Sequence, residues 1–206
     1  MTEVKICGIK RIEDVEFLNE LKPEYAGFVF AESKRKVTFE KAGYLMEKLD
    51  TSIKRVGVFV NQAGDGSQLF NEIKQARNGS QVFRLDVLQF HGNVTEEYLS
   101  KFKNYEVWKC IKVDLETIVT DCEYVDGILL DGDKSGSGKT FDWKLAENIR
   151  TRKKLILAGG LNSYNVQEAI SRLQPDVVDV SSSVEVDGFK DFKKIKEFIE
   201  KVRSCV

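Results

Sequence analysis

The stretch LILAGGLNSYNVQEAISRLQPDVVDVSSS, residues 155–183, contains one complete unit of the predicted fold. The apolar run Leu155–Ala158 has the length and composition of a buried strand, and the two glycines that follow it predict a turn. The amphipathic segment Asn165–Leu173 predicts a helix, and a second apolar run follows at Val177–Val180. A strand, a helix and another strand in this order indicate two parallel strands joined by a crossover helix.

The same alternation extends along the whole chain. Eight strand-length apolar runs are separated by stretches with helical spacing, of which Asp114–Cys122 is the weakest. This pattern predicts an α/β fold, namely a (β/α)8 TIM barrel in a single domain spanning residues 1–206. The barrel is favoured over a doubly wound open sheet, because an open sheet of that kind usually has fewer strands. The predicted strands are Val4–Cys7, Tyr25–Phe30, Arg55–Val60, Val87–Phe90, Glu106–Val113, Gly127–Leu130, Leu155–Ala158 and Val177–Val180, and the clearest helical stripes are Ile12–Leu18, Ala42–Leu49, Leu69–Ala76, Asn165–Leu173 and Phe192–Val202.

Composition excludes several classes of protein. Lys and Arg total 32 against 33 for Asp and Glu, so the net charge is -1, which argues against a nucleic-acid or membrane-surface binder. No apolar run approaches the ~18 residues of a membrane span, and charges within MTEVKICGIK argue against a signal peptide. Four cysteines without a CxxC pair and a single histidine predict no disulfide framework and no metal cluster. We therefore expect a cytoplasmic protein.

A barrel of this kind carries its chemistry at the C-terminal ends of its strands. There the sequence places Gly159 and Gly160 after the seventh strand, and Ser182 and Ser183 after the eighth. These two loops often form a phosphate site, in which glycines admit backbone N–H groups and serines add hydroxyl donors. Either loop alone would be interpreted as ordinary turn residues and helix caps, but the two loops together favour a phosphate-binding site.

The segment DGDKSGSGKTFDW, residues 131–143, has a Gly-Lys-Thr that resembles the end of a nucleotide-binding P-loop. The full pattern needs a glycine at the position of Asp133, and Phe141-Asp142-Trp143 follows where a helix should begin at once. A flexible, glycine-rich lid over the site is the better interpretation, with Asp142 as the N-cap of a later helix.

Four further side chains at strand ends could react with or bind a ligand. Asp131 could act as a general acid or merely cap a turn. Cys7 could be a packing residue, but Gly8 leaves room for a ligand and Lys5 on the same strand face could lower the pKa of its thiol. Arg35 could bind a carboxylate through its forked guanidinium or belong to a solvated charge run, and His91 could bind substrate or satisfy a loop carbonyl.

Short motifs in sequence order from residue 5 to residue 191 resemble those of the phosphoribosylanthranilate isomerase family. They are KICGI at 5–9, GFVF at 27–30, SKR at 33–35, VGVFVN at 56–61, LQFHG at 88–92, LLD at 129–131, SGKTFDW at 137–143, AGGLN at 158–162, DVSSSVE at 179–185 and GFKD at 188–191.

The resemblance implies a cofactor-free isomerase of tryptophan biosynthesis that acts on a small phosphorylated sugar, N-(5-phosphoribosyl)anthranilate, by an Amadori rearrangement. It implies that Asp131 is the general acid and that Cys7, as a thiolate with a lowered pKa, is the general base. It also implies that Arg35 binds the anthranilate carboxylate, that Asp179 contacts the sugar hydroxyls and that His91 lines the pocket. Gly159, Gly160, Ser182 and Ser183 would hold the 5-phosphate.

The chain departs from the family where Ser183 replaces a usual glycine, which would be strained if that position has a positive φ. A histidine-pathway isomerase is the main rival hypothesis, alone or as a second activity, although that family has an aspartate where Cys7 stands. A P-loop protein and a non-catalytic phosphate-binding barrel are two weaker hypotheses. The sequence leaves open whether the protein is a monomer or a homodimer, and what Cys110, Cys122 and Cys205 do.

Overall fold

Eight parallel strands close into a barrel in the computed structural model of the protein, which describes residues 1–60, 67–79, 84–114, 122–132 and 142–205. Each strand pairs with its neighbours in chain order, and β1 pairs with β8. The predicted barrel is therefore confirmed, and the open sheet is excluded. The strands are β1 Glu3–Cys7, β2 Tyr25–Val29, β3 Lys54–Val60, β4 Val87–His91, β5 Glu106–Lys112, β6 Gly127–Asp131, β7 Lys154–Leu157 and β8 Val177–Val180.

Six α-helices lie in the described parts of the chain. They are α1 Ile12–Leu21, α2 Phe39–Lys48, α3 Ser67–Gly79, α4 Glu96–Ser100, α5 Val166–Leu173 and α6 Phe192–Arg203. Four of them, α1, α2, α5 and α6, present their buried apolar residues to the sheet, as the helical stripes predict. After β6 the described chain forms only a short 3-10 helix, Trp143–Leu145, which Asp142 caps by accepting from the N–H of Lys144 at 3.0 Å.

Two predictions fall wholly or largely outside the described residues. They are the weak helix at Asp114–Cys122, of which residues 115–121 are not described, and the lid with its Gly-Lys-Thr at 138–140. Among the described helices, none combines the length and hydrophobicity that crossing a bilayer requires.

Side chains inside the barrel form a packed core of their own, separate from the core between sheet and helices. At its lower end Tyr25 and Trp108 are fully buried, with ring centroids 5.0 Å apart. Lys154 donates to the Tyr25 hydroxyl and to Glu106, both at 3.0 Å. We call Tyr25, Trp108, Glu106 and Lys154 the barrel floor. It closes the lower end, so a ligand enters from the C-terminal ends of the strands.

A small hairpin follows β8 and a 3-10 helix at Ser182–Val184. Its strands are β9, Glu185–Val186, and β10, Phe189–Lys190, which pair antiparallel across Asp187 and Gly188. Both turn residues have positive φ, 51° and 77°, as a two-residue type I′ turn requires. The hairpin was not predicted, although Asp-Gly between apolar residues is its usual signal.

Candidate active site

A cavity of about 270 Å³ opens at the C-terminal ends of the strands. Apolar side chains such as Val29, Val58 and Leu129 cover part of its wall. The structure brings together almost all of the predicted site residues here. Those that line the cavity are Cys7, Arg35, His91, Asp131, Gly159, Gly160, Asp179 and Ser182, together with Gln89 and Ser181.

Cys7 is the last residue of β1, and its buried side chain points into the barrel. Gly27 on the neighbouring strand leaves the thiol its space, because a Cβ at that position would lie 2.9 Å from Sγ. The chain turns at Gly8 with φ 89°, and a Cβ there would lie 2.5 Å from Cδ of Arg35. Two glycines thus admit the thiol and the arginine to the same side of the cavity.

Lys5 lies below Cys7 on the same strand and is completely buried. Its Nζ donates to Oδ2 of Asp179 at 2.7 Å. Burial opposes the charge on Lys5, but attraction to Asp179 and to the Cys7 thiolate outweighs it and raises the pKa of Lys5. A permanent positive charge is therefore held beneath the thiol.

The predicted lowering of the Cys7 pKa is wrong. Burial raises the pKa of the thiol, and this effect exceeds the opposing attraction of Lys5 and Lys190. The sequence correctly indicated that Lys5 and Cys7 share a strand face, but it gave no measure of how completely the pair is buried.

Asp131 ends β6 with 6% of its surface exposed. Its Oδ1 accepts the N–H of Gly132 at 2.8 Å, which fixes the orientation of the carboxyl group. This group and the Cys7 thiol line the same cavity from two different strands. One acid and one base can therefore act on a single ligand.

His91 ends β4, and its Nε2 lies 2.7 Å from the side-chain amide of Gln89. Burial lowers the pKa of His91 to about 4, so the ring is neutral at pH 7. Gln89 was not predicted as a site residue, and its buried Oε1 has no partner within the described residues. His91, Cys110 and Asp131 also place one potential metal-ligating atom each within 4.8 Å of the others.

Arg35 reaches the cavity from the loop after β2, where its guanidinium pairs with Glu185. Nε and Nη2 donate to the two carboxylate oxygens at 2.7 Å each. Lys190 also donates to Glu185 at 2.7 Å and to the carbonyl of Ser181 at 2.9 Å. The two cations lower the pKa of Glu185 to about 2 despite its burial, so it is ionised at any pH where the protein works.

Glu185 and Lys190 were missed as site residues, although both lie in the motifs DVSSSVE and GFKD quoted above. Their pairing with Arg35 joins the loop after β2 to the hairpin after β8, a separation of 150 residues for Arg35 and Glu185. The signal available was the Asp-Gly turn, which brings Glu185 opposite Lys190 in the hairpin.

Of the predicted phosphate residues, Gly159, Gly160 and Ser182 line the cavity, whereas Ser183 does not. Gly159 and Gly160 have φ of 81° and 67°, which a side chain would disfavour. Ser182 and Ser183 begin a 3-10 helix, so their N–H groups have no partner within it. Ser183 is not among the residues with positive φ, so it carries no such strain, and its hydroxyl donates to the carbonyl of Leu161.

The whole chain is similar to proteins of one activity. A family model described as N-(5'-phosphoribosyl)anthranilate (PRA) isomerase matches residues 4–201. An N-(5'-phosphoribosyl)anthranilate isomerase of Clostridium kluyveri is 48% identical over 206 residues, covering 99% of both chains. One of Thermoanaerobacter pseudethanolicus is 48% identical over 209 residues, covering 98% of both.

Solved structures agree with the sequence comparisons. Phosphoribosyl anthranilate isomerase from Thermus thermophilus superposes with a TM-score of 0.84 at 30% identity, covering 100% of each chain. A phosphoribosyl anthranilate isomerase in complex with reduced 1-(o-carboxyphenylamino)-1-deoxyribulose 5-phosphate gives 0.78 at 34% identity, covering 99% of this chain and 100% of that one.

Proposed function

Since the chain belongs to the N-(5'-phosphoribosyl)anthranilate isomerase family and is an isomerase of tryptophan biosynthesis, we propose that Asp131 and Cys7 are its general acid and general base. The observation that carries this proposal is that both side chains line one cavity, beside a glycine and serine end suited to a phosphate. Activity as an enzyme also excludes the hypothesis of a non-catalytic barrel.

The first step opens the ribose ring. The Asp131 carboxyl group donates its proton to the ring oxygen, the bond from C1 to that oxygen breaks, and the nitrogen lone pair forms an iminium with C1. Asp131 is left as a carboxylate. The N–H of Gly132 fixes the orientation of this carboxyl group. That supports the role, because general acid catalysis requires a proton donor held within hydrogen-bond reach of its acceptor.

The second step removes the proton from C2. The Cys7 thiolate takes this proton, and the electron pair of the broken bond neutralises the iminium to give an enolamine. Tautomerisation then yields the 1-deoxyribulose 5-phosphate product. Lys5 supports this role, since its buried positive charge stabilises the thiolate against the cost of burial.

The cavity also supplies residues that can bind the carboxylate, the phosphate and the sugar hydroxyls of the substrate. We propose that Arg35 holds the anthranilate carboxylate while Glu185 keeps its guanidinium in place, and that Gly159, Gly160, Ser182 and Ser183 hold the phosphate. The proposed contact to the sugar hydroxyls is Asp179. Its Oδ1 is buried without a partner in the described parts of the chain, which leaves an acceptor for a sugar hydroxyl.

We also propose that the protein works in a reducing, cytoplasmic compartment. Its four cysteines are all free thiols, a state that such a compartment maintains. His91 is proposed only to line the pocket as a neutral ring, and the enzyme is proposed to be a monomer or a homodimer without nucleic-acid or membrane partners.

Two variants test the catalytic pair. Cys7→Ser keeps the shape of the side chain with a far weaker acid, and Asp131→Asn keeps the shape and loses the proton. We expect kcat to fall by ~10²–10⁴-fold in each, with KM changed only a few-fold. The assay follows the loss of fluorescence as phosphoribosylanthranilate, made in situ from anthranilate and phosphoribosyl pyrophosphate, is converted.

Cys205→Ser is the matched control, because it makes the same chemical change at a cysteine outside the cavity. Circular dichroism establishes that each variant is folded. Wild-type turnover in Cys7→Ser would remove Cys7 from the role of base, and wild-type turnover in Asp131→Asn would move the acid elsewhere.

A further inference from the structure

Three different metal-ligating side chains meet at the mouth of the barrel. His91 ends β4, Cys110 lies on β5 and Asp131 ends β6, and one ligand atom from each lies within 4.8 Å of the other two. Because the three come from consecutive strands, they are widely spaced in the chain. A search for short metal-binding motifs therefore misses them.

The separations suit a transition metal after small side-chain rotations. A tetrahedral ion with bonds of about 2.0 Å to nitrogen and oxygen and about 2.3 Å to sulfur holds its ligand atoms about 3.3–3.6 Å apart. The present upper limit of 4.8 Å exceeds this by little more than one ångström. Two of the three ligands lie at strand ends, where side chains can rotate toward the open cavity.

The donor set also suits a metal. An imidazole, a thiol and a carboxyl group are the side chains that zinc-like ions take as ligands in proteins. Once bound, one thiolate and one carboxylate neutralise the charge of a divalent ion.

Hydrogen bonds from neighbouring groups hold two of the three metal-ligating side chains in place, as is usual around metal sites in proteins. Gln89 contacts Nε2 of His91 at 2.7 Å, and the N–H of Gly132 holds one oxygen of Asp131. If the Gln89 amide turns so that Oε1 accepts from Nε2, the buried oxygen gains its partner and Nδ1 carries the lone pair. A thiolate and an imidazole together select zinc-like ions over Mg²⁺ or Ca²⁺.

We propose that His91, Cys110 and Asp131 bind a divalent transition metal such as Zn²⁺ or Co²⁺, and that the bound ion inhibits the isomerase. Binding forms bonds to the imidazole, the thiolate and the carboxylate, and it releases to solvent both the Cys110 proton and the proton that Asp131 carries as the proposed acid. Inhibition follows because the metal occupies the carboxyl group that would otherwise donate a proton. This half of the proposal rests on the proposed role of Asp131, whereas the binding half does not.

Cobalt binding tests the site without reference to activity. Protein treated with EDTA and dialysed is titrated with Co²⁺, and a thiolate-to-cobalt charge-transfer band is expected in the near ultraviolet. Cys110→Ala should abolish the band and weaken binding by about 100-fold or more. Cys122→Ala, which removes another buried thiol, and Cys7→Ser should both keep it. Absence of the band in the wild type, or its persistence in Cys110→Ala, would overturn the proposal.

Inhibition is measured by adding Zn²⁺ to each protein and comparing its turnover with the turnover of the same protein without metal. We expect wild-type activity to fall with rising Zn²⁺ and to return on adding EDTA, and the Cys110→Ala enzyme to need at least ten times more Zn²⁺ for the same loss. A cobalt band that depends on Cys110, together with wild-type activity insensitive to Zn²⁺, would overturn the inhibitory half. Wild-type turnover in Asp131→Asn would contradict the proposed acid and with it the inhibitory half, whereas a Cys110-dependent cobalt band in the protein with Asp131 intact would still establish the metal site.

Discussion

The Cys7 thiol is the proposed base, and two opposing surroundings set its pKa. Burial raises its pKa, and the positive charges of Lys5 and Lys190 lower it by a smaller amount. The reactive thiolate is therefore the minor form near neutral pH, but a strong base once formed. Lys5 is a positioning residue in this scheme, since it acts on the substrate only through Cys7 and Asp179.

The pH dependence of the reaction reports this balance. Because the thiolate is the proposed base and burial raises the pKa of the thiol above its ordinary value of about 8.5, kcat/KM should keep rising with pH beyond 8. Lys5→Met should move the rise to still higher pH, while Lys10→Met, the same change at a lysine outside the barrel interior, should leave it in place. Rates at several pH values, with substrate held well below KM, measure both profiles. A plateau reached by pH 7 in the wild type would contradict the raised pKa.

Gly27 shows how one missing side chain makes the site possible. An added Cβ would meet Sγ of Cys7 at 2.9 Å and its Cα at 3.0 Å, and the second of these is backbone that cannot turn away. We expect Gly27→Ala to reduce kcat at least tenfold and to destabilise the protein by about 1–3 kcal/mol. Turnover and urea denaturation measure the two effects. Wild-type turnover would mean that the thiol does not need this space.

At the scale of elements, the hairpin of β9 and β10 holds Arg35, the arginine proposed to bind the substrate. Glu185 joins Arg35 to Lys190, and Lys190 in turn donates to the carbonyl of Ser181, next to the proposed phosphate residue Ser182. The hairpin therefore links the residues proposed to hold the carboxylate and the phosphate of one substrate.

Loss of this link should affect binding more than chemistry. Glu185→Gln keeps the size of the side chain but removes the charge that holds Arg35 and Lys190. We expect KM to rise by about tenfold and kcat to change by less than threefold, as measured by steady-state kinetics. Glu197→Gln, on an exposed position of α6, is the matched control. A large fall in kcat with unchanged KM would show that Glu185 takes part in the reaction itself.

Elements were predictable where a pattern repeats and were missed where they are short. The strands of the barrel are buried on both faces, so they are continuous apolar runs that the sequence displays directly. The helix α4 has only five residues, too few to show a helical period, and β9 and β10 have two residues each. The candidate site residues followed from strand ends and family motifs, whereas the pairing of Arg35 with Glu185 and the raised thiol pKa depend on tertiary contacts and burial.

At the scale of the whole molecule, closure removes the edges of the sheet. Val4 pairs with Val178 and Ile6 with Val180 across the junction of β1 and β8, just as neighbouring strands pair elsewhere. An open sheet would expose unpaired backbone groups on its first and last strands, whereas each of the eight described barrel strands has a neighbour on both sides.

Hydrogen exchange measures the closure. The amides of β1 and β8 should exchange as slowly as those of β4, because all three strands are paired on both sides. Exchange followed by mass spectrometry under native conditions resolves the segments, with the exposed hairpin turn at Asp187 and Gly188 as the fast-exchanging reference. Exchange in β1 and β8 much faster than in β4 would indicate that the barrel opens at this junction.

The barrel floor and the cavity lie at opposite ends of the same strands and share no residues. Tyr25, Trp108, Glu106 and Lys154 pack and pair with one another below, while the groups proposed to recognise the substrate line the cavity above. Mutations of the cavity residues that change which amine the substrate carries can therefore accumulate without removing the contacts of the barrel floor, which keep the strands together. Selection can therefore change the substrate specificity of this protein without first having to raise its free energy of unfolding.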